Sequence, residues 1–420
     1  MKTPFVGLTL ATALLAAPSH AASQSELTDA ILSAYSETSA AFGPRPNLAQ
    51  ALGTLPLRYS ADTAEKLTKV FGNAQPLRVK PAPAPKGQVG YLMTLQPLRF
   101  SERGRVEVEW SELAVKLALN KAGNTLATDG RWAGFAAGDR YSSVRYSDIR
   151  FNSQHERNAD GVWFGATQGR IGVIAFDETP LTAPAKPRAP SKNSKAFRME
   201  DVRFSTGLGS RGKVADLSYR LSAATLEVNK EKIERLNLSL RLTNIDAKVV
   251  KELSQSLNGS VAAALNNAHS GATLQQFEQL GKRALLNGAA LAIDDLSGSF
   301  RGDTAALKGH IGLANATEDD LDSFSRMLGK LVARFELRMP ISLVRNVAVI
   351  FTRAGSEAER LSLGRKAADK AIDKAIGDGY VRLDDGELYS TIEYKDGKLS
   401  ANAKALDMSN LLGGPPRRTR

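Results

Sequence analysis

The pattern Asp-Ile/Val-Arg-Phe occurs at two places in this chain, as Asp148-Ile149-Arg150-Phe151 and as Asp201-Val202-Arg203-Phe204, 53 positions apart. Each copy is followed by a short Gly-containing polar stretch and then by a run in which apolar and polar side chains alternate. An alternating period marks a strand with one face buried, and its repetition marks a sheet built by adding antiparallel units. Residues two apart on a strand share a face, so each copy sets an Asp/Arg pair on one side and Ile149/Phe151 or Val202/Phe204 on the other. Cross-strand charge pairing on an exposed face accounts for the Asp/Arg pairs without any binding role. The motif therefore speaks about architecture and carries no chemistry of its own.

The first residues have the pattern of an export signal. Lys2 supplies the positive start, Val6 to Ala17 the apolar stretch, and Ser19-His20-Ala21 the small-residue cleavage site. This predicts a mature chain beginning at Ala22 in the periplasm, with an uncleaved inner-membrane anchor as the alternative. No later stretch approaches the roughly 20 apolar residues of a spanning helix, which predicts a soluble mature chain. Cysteine is absent although the compartment would permit disulfides, so burial alone must hold the fold.

The formal charge of +12 is unevenly spread. Between Lys186 and Lys213 eight bases face Glu200 and Asp201 alone, and the chain ends Arg417-Arg418-Thr419-Arg420. Such a surplus attracts anionic headgroups when it is specific and serves solubility when it is not. Nucleic acid is excluded as a partner by compartment and by the scarcity of aromatic side chains among these bases.

The pattern along the chain predicts six regions: a signal over 1–21, a helical unit over 22–73, a stiff Pro-rich linker over 74–87, and a β-rich repeat region over 88–245. An α+β region over 246–412 and a basic tail over 413–420 follow. In the linker, Pro81, Pro83 and Pro85 argue against regular pairing. A loop rich in Pro and Lys over 179–195 divides the two motif copies. Val106, Val108 and Trp110, then Val115, Leu117 and Leu119, alternate as half-buried strands, and Leu217, Tyr219 and Leu221 resume the sheet. Further on, Thr273 with Gln276 reads as a capping box, and a helix opening at Thr317 is expected to bury Leu321, Phe324, Leu328 and Leu331. Asp385-Gly386 and Asp396-Gly397 signal tight turns.

The segment Gly379-Tyr380 through Tyr394-Lys395-Asp396-Gly397-Lys398-Leu399 to Asn402 resembles the end of the YdgA-like family of bacterial envelope proteins. Leu238 to Asp246 before a helix, the Gly288 to Gly302 strands and the Arg334 to Pro340 strand ending in Met-Pro agree with it. The resemblance covers roughly Phe204 to Leu412. It implies an envelope location and an antiparallel repeat architecture, but no activity, because the shared residues are strand and turn patterns.

Signals of catalysis are missing where they would be expected. His155, His269 and His310 lie far apart in sequence and form no metal-ligand spacing. Gly207-Leu208-Gly209-Ser210-Arg211-Gly212 matches a dinucleotide fingerprint by letter, yet strand alternation continues after it where a helix is required. No Gly-x-Ser-x-Gly elbow occurs, and the pairs Asp294-Asp295, Asp319-Asp320 and Asp384-Asp385 suit caps and turns. No metal, cofactor or catalytic group is read from the chain.

These observations predict an α+β fold, an elongated antiparallel β-rich repeat sheet with helices on one face and a small helical N-terminal unit. The expected role is non-catalytic binding of an amphipathic anionic molecule such as a lipid, or of an envelope partner protein. Lys192, Lys195, Arg198, Arg203, Arg211 and Lys213 would meet the anionic part, with Phe204 and Tyr219 beside them. A scaffold or adhesion module is the alternative, and a hydrolase without a recognisable motif is a third. The sequence leaves oligomeric state open.

Overall fold

A computed structural model of the chain describes residues 22–42, 52, 58–102, 106–139, 141–178, 196–228, 231–253, 271–353 and 356–406. These form an α+β, β-rich fold in which eighteen strands pair in antiparallel ladders. Two compact units divide it: Met1–Ser210 with Ala223–Glu231 and Ala247–Leu280, and Arg211–Ser222 with Lys232–Asp246 and Gly281–Arg420. The signal, the 179–195 loop and the basic tail lie outside the described residues.

The first unit begins with helices α1 (Ala22–Phe42) and α2 (Ala61–Phe71). Ser60 caps α2 by accepting from the Thr63 amide, and Gly72 ends it in the left-handed conformation. Nine strands follow: β1 (Leu77–Ala82), β2 (Gln88–Leu95), β3 (Leu98–Glu102), β4 (Val106–Trp110), β5 (Leu113–Asn120), β6 (Thr125–Asp139), β7 (Ser143–Arg157), β8 (Trp163–Asp177) and β9 (Phe197–Arg211). Strand β6 pairs with β5 through its first half, with β4 through its second, and with β7 along its other edge.

The expected alternation in β4 and β5 buries Val106, Val108, Trp110, Val115, Leu117 and Leu119 against Leu27, Leu67 and Phe71 of the helices. Phe71, Trp110, Phe135 and Tyr146 form a chain of ring contacts through this core. Both buried indoles are satisfied, Trp110 donating to the Gln96 carbonyl and Trp132 to the Ser111 carbonyl, each at 2.9 Å.

The proline-rich linker does not behave as expected. Pro81 lies inside β1, which pairs with β2 from Leu77↔Leu95 to Ala82↔Gly90. A proline is tolerated in a ladder where its missing N–H faces away from the partner strand. A Cβ at Gly90 would strike the backbone of Ala82 and Pro83, so Gly90 admits this close approach.

The second unit holds the first half of β10 (Val214–Val228), most of β11 (Glu231–Asp246), then β12 (Ala290–Phe300), β13 (Asp303–Leu313) and β14 (Leu331–Pro340). β15 (Arg382–Asp384), β16 (Glu387–Lys395), β17 (Lys398–Ala401) and β18 (Lys404–Leu406) complete it. Helix α3 (Gly271–Leu286) precedes β12, and Thr273 falls inside α3 instead of capping it. Before β14 the expected single helix is two short pieces, α4 (Glu318–Leu321) and α5 (Phe324–Lys330). Phe324 is 68% exposed there and Leu331 already belongs to β14, because the break at Asp322 and Ser323 turns the apolar stripe out of register. Helices α6 (Ile341–Phe351) and α7 (Glu357–Gly377) follow, the latter capped by Ser356 accepting from the Glu359 amide.

Both Asp-Gly pairs make two-residue hairpin turns with positive φ at each central residue, Asp385-Gly386 and Asp396-Gly397. Asn402-Ala403 makes a third between β17 and β18. The Asn402 side chain accepts from the Thr391 amide at 2.9 Å and donates to the Tyr380 carbonyl at 3.0 Å. The residues carrying the family resemblance thus pin the Gly379-Tyr380 segment to the β16–β17–β18 hairpins.

Candidate functional site

The repeated motif occupies β7 and β9, which flank β8 and both pair with it. Ile149 and Val202 each stand opposite Ile171, Arg150 and Arg203 each opposite Arg170, and Phe151 and Phe204 each opposite Gly169. Asp148 and Asp201 adopt φ of 48° and 47°, a left-handed conformation that Asp tolerates better than most residues, and the ladder skips both. The inward face changes parity on this line: in β6 Trp132 is buried, yet so are Phe135 and Ala137. A regular strand would place Trp132 and Phe135 on opposite faces.

Gly172 lies between the two aspartates, and a Cβ there would crowd Asp148 at 3.0 Å. Beside this line, Arg131, Arg150, Arg170 and Arg203 stand in one cross-strand row on the exposed face. Like charges in such a row repel unless they are compensated. Arg170 donates to Asp201 at 2.5 Å and to Asp148 at 3.3 Å, Arg150 donates to Asp148 at 2.9 Å, and Arg203 donates to Asp201 at 3.0 Å. The Arg170 guanidinium first, then that of Arg203, holds the Asp201 carboxyl below its ordinary range, and Asp201 raises Arg170 in turn. The row is an exposed ion-pair network whose guanidiniums are already engaged.

Aromatic rings fill the space above three glycines. Phe151 lies over Gly130, Phe204 over Gly169 and Phe335 over Gly309, each directly across the ladder. In this arrangement the ring covers backbone that a glycine leaves bare. Phe204 is therefore a packing residue on the face opposite the arginines.

The second unit presents a different surface. Leu240, Ile293, Gly309, Phe335 and Ile392 form one row across β11, β12, β13, β14 and β16; Leu238, Leu296, Leu307 and Leu337 form the next. A third row runs Leu242, Leu291, Ile311, Ala333 and Tyr394, and only at its β14–β16 end is it fully buried. The apolar side chains of the first two rows keep part of their surface in contact with solvent, and Leu296 is 39% exposed. On β10, Leu217 and Tyr219 are 42% and 37% exposed. The hydrophobic core cluster lies wholly between Leu27 and Ile171, so these rows do not belong to it. The opposite face carries Arg241, Lys308, His310, Arg334, Glu336 and Glu393, which separates a polar from an apolar side across five strands.

The structure describes part of the set expected to meet an anion. Arg198 donates to Glu200 at 2.8 Å and Arg203 is held by Asp201, both in β9. Lys213 is exposed in the turn between β9 and β10. Lys192, Lys195 and the Arg211 side chain lie outside the described residues. Tyr219 sits on β10 in the second unit, while Phe204 packs over Gly169 in the first. In the sequence the apolar rows of β11 to β16 are visible only as strand alternation, as in Leu236, Leu238, Leu240 and Leu242, which marks a half-buried strand without telling whether anything covers it.

Among the described residues no group of three or more His, Asp or Glu side chains is placed to hold a metal. His155 meets the Thr167 hydroxyl at 3.1 Å; burial pushes its imidazole below the ordinary value, opposed by a backbone hydrogen bond at Phe164. Gly207 and Gly209 lie within β9 and Gly212 in the following turn, a strand-turn-strand setting with no helix to receive a pyrophosphate.

The family described as bacterial protein of unknown function (DUF945) matches residues 43–409, and the chain belongs to it. The match reaches far upstream of the C-terminal half that carried the resemblance. No curated protein and no solved structure matches the chain significantly.

Proposed function

We propose that this DUF945 protein binds the apolar chain of an amphipathic, lipid-like molecule on the β11–β16 face of its second unit. The single observation behind the reading is the set of contiguous rows through Leu240, Ile293, Phe335 and Ile392, which are apolar yet left half-buried. Burying a Leu or Phe side chain fully yields about 1.5–3 kcal/mol, so a folded chain that leaves two rows partly wet forgoes several such increments. Large exposed apolar patches mark interaction surfaces. An acyl chain laid across them would recover that burial at about 0.8 kcal/mol per methylene. The hydrophilic end would remain in water at the edge of the face.

The YdgA-like subgroup, export through residues 1–21 and residence in the bacterial envelope belong to the same reading. The first rests on the Gly379 to Asn402 hairpins, the others on Lys2, the apolar stretch and the Ser19-His20-Ala21 site. An N-terminal sequence starting at Ala22 in an exported product is expected; a Met1 start in the membrane fraction would replace export with anchoring.

Native mass spectrometry of the purified protein, followed by titration with a fluorescent fatty acid, tests the ligand reading. A co-purified or titratable apolar ligand is expected, with about tenfold or more weaker binding for the double variant Leu240→Asn, Phe335→Asn. A folded wild type that binds no such probe overturns it. A stoichiometric protein partner retained in its place would move the assignment to a scaffold.

A further inference from the structure

We infer that the C-terminal end of α6, with the start of α7, is a docking element for an anionic membrane surface. It is carried by the outward side of α6, a helix whose inward side packs against β13 and β14, and it stands without a ligand on the β11–β16 rows. Helix α6 reads Ile-Ser-Leu-Val-Arg-Asn-Val-Ala-Val-Ile-Phe, apolar apart from one stripe of Ser342, Arg345 and Asn346. Its inward side is spent on Leu343 and Val349, which are buried, while Ser342 and Asn346 donate to Asp303 at the start of β13. Its outward side keeps Val347 38%, Ile350 40% and Phe351 81% exposed.

Helix α7 crosses this end closely. Gly364 lies so near Val349 that a Cβ would fall 2.7 Å from the Val349 Cα, and Arg345 donates to Asp369 at 2.6 Å to fix the pairing. Leu363, next to Gly364, is 45% exposed. The geometry therefore gathers large apolar side chains at one end of a helical hairpin whose crossing is rigid.

The basic rim identifies the occupant. Arg353, Arg360, Arg365 and Lys366 are all exposed, and among the described residues none has a carboxylate within ion-pair distance. Glu357 and Glu359 are the acids of the same stretch and occupy the first turn of α7, where the helix dipole favours them. Exposed apolar side chains with unengaged cations close by in the chain fit the boundary between acyl chains and anionic headgroups. Eleven residues of helix extend about 16 Å, against about 30 Å of hydrocarbon, so the element would lie in the interface and not cross it.

Flotation of the full chain with vesicles of phosphatidylcholine alone, and of phosphatidylcholine and phosphatidylglycerol in equal parts, tests this at low and at physiological salt. Wild type is expected to float with the anionic vesicles only. The variant Ile350→Ser, Phe351→Ser should lose about tenfold or more of its partition, as should Arg353→Gln, Arg360→Gln, Arg365→Gln, Lys366→Gln. All six positions are exposed, and far-ultraviolet circular dichroism is expected to be unchanged. The Leu240→Asn, Phe335→Asn variant should float as wild type does, which separates this surface from the ligand-binding face. Equal flotation of the α6 variant, or no flotation of wild type at low salt, overturns the inference. Self-association of wild type that the Phe351 substitution abolishes, with no vesicle binding, would overturn it too and give the patch to a second copy of the chain.

Discussion

The ring of Phe204 stands over the backbone of Gly169 on the neighbouring strand, in the volume a side chain at 169 would need. A Cβ there would fall 2.5 Å from the ring and 2.7 Å from the Arg150 carbonyl oxygen, so either β7 or the ring must move. Gly169→Ala is expected to destabilise by about 1–3 kcal/mol, the range of overpacking in a well-filled site. Gly209, in β9 with open space around its Cα, provides the contrast. Gly209→Ala should be neutral or stabilise by up to about 1 kcal/mol through the unfolded chain. Urea midpoints for the two variants check the pair, and equal losses would show that ring placement over Gly169 is incidental.

Asn402→Ala should cost about 2–3 kcal/mol. Its side chain is the acceptor for the Thr391 amide and a donor to the Tyr380 carbonyl, and its φ of 47° is strained for alanine. Asn402→Gly relieves the backbone and loses only the hydrogen bonds, so it should be the milder change. Denaturant midpoints in the order wild type, Gly, Ala would assign both effects, whereas identical values for all three would mean the β17–β18 turn does not hold the Tyr380 segment.

Local features of both units could be read from the chain. The alternation in β4 and β5, the helical pattern within residues 22–73 and the Asp-Gly turns are local signals, and local signals are what periodicity and turn chemistry report. The pairing of Pro81 was hidden because a proline's cost depends on whether its missing N–H faces a partner, a fact of sheet order and not of sequence. The repeat was visible, but not its consequence: positive φ at Asp148 and Asp201 and the change of inward face at Trp132 and Phe135 arise from three strands meeting at Gly172. The candidate face was least legible. Leu240 and Phe335 look like ordinary strand core, yet the core cluster between Leu27 and Ile171 does not include them.

Two acid-sensitive steps are expected in the stability of the first unit. Burial lowers the His155 pKa, so the unfolded chain binds a proton that the folded one resists. Stability should therefore fall as pH drops below the unfolded histidine value of about 6.5. Asp201, depressed by Arg170 and Arg203, keeps its contribution above the unfolded carboxylate value of about 3.9 and loses it as pH falls through the folded value. His155→Gln should remove the first step alone, and Asp201→Asn should reduce the second. Thermal midpoints measured from pH 7 down to pH 3 decide it; a wild-type profile flat between pH 7 and pH 5 would mean that His155 titrates freely in the folded state.

Binding on the β11–β16 face should depend only weakly on salt. Exposed charges more than about 8–10 Å apart are screened at physiological ionic strength, and binding steered by a free basic cluster would weaken steeply as salt rises. Two of the bases that could supply such steering are engaged, Arg198 by Glu200 and Arg203 by Asp201. Burial of acyl methylenes is insensitive to moderate salt. Replacing Lys192, Lys195, Arg198, Arg203, Arg211 and Lys213 by Gln is thus expected to change affinity for a fatty-acid probe less than threefold, about 0.6 kcal/mol, while Leu240→Asn with Phe335→Asn weakens it about tenfold or more. Titrations at low and at physiological salt separate the terms. A steep salt dependence abolished by the six-base variant would return the leading role to the cationic segment and leave the apolar rows as surface awaiting another partner.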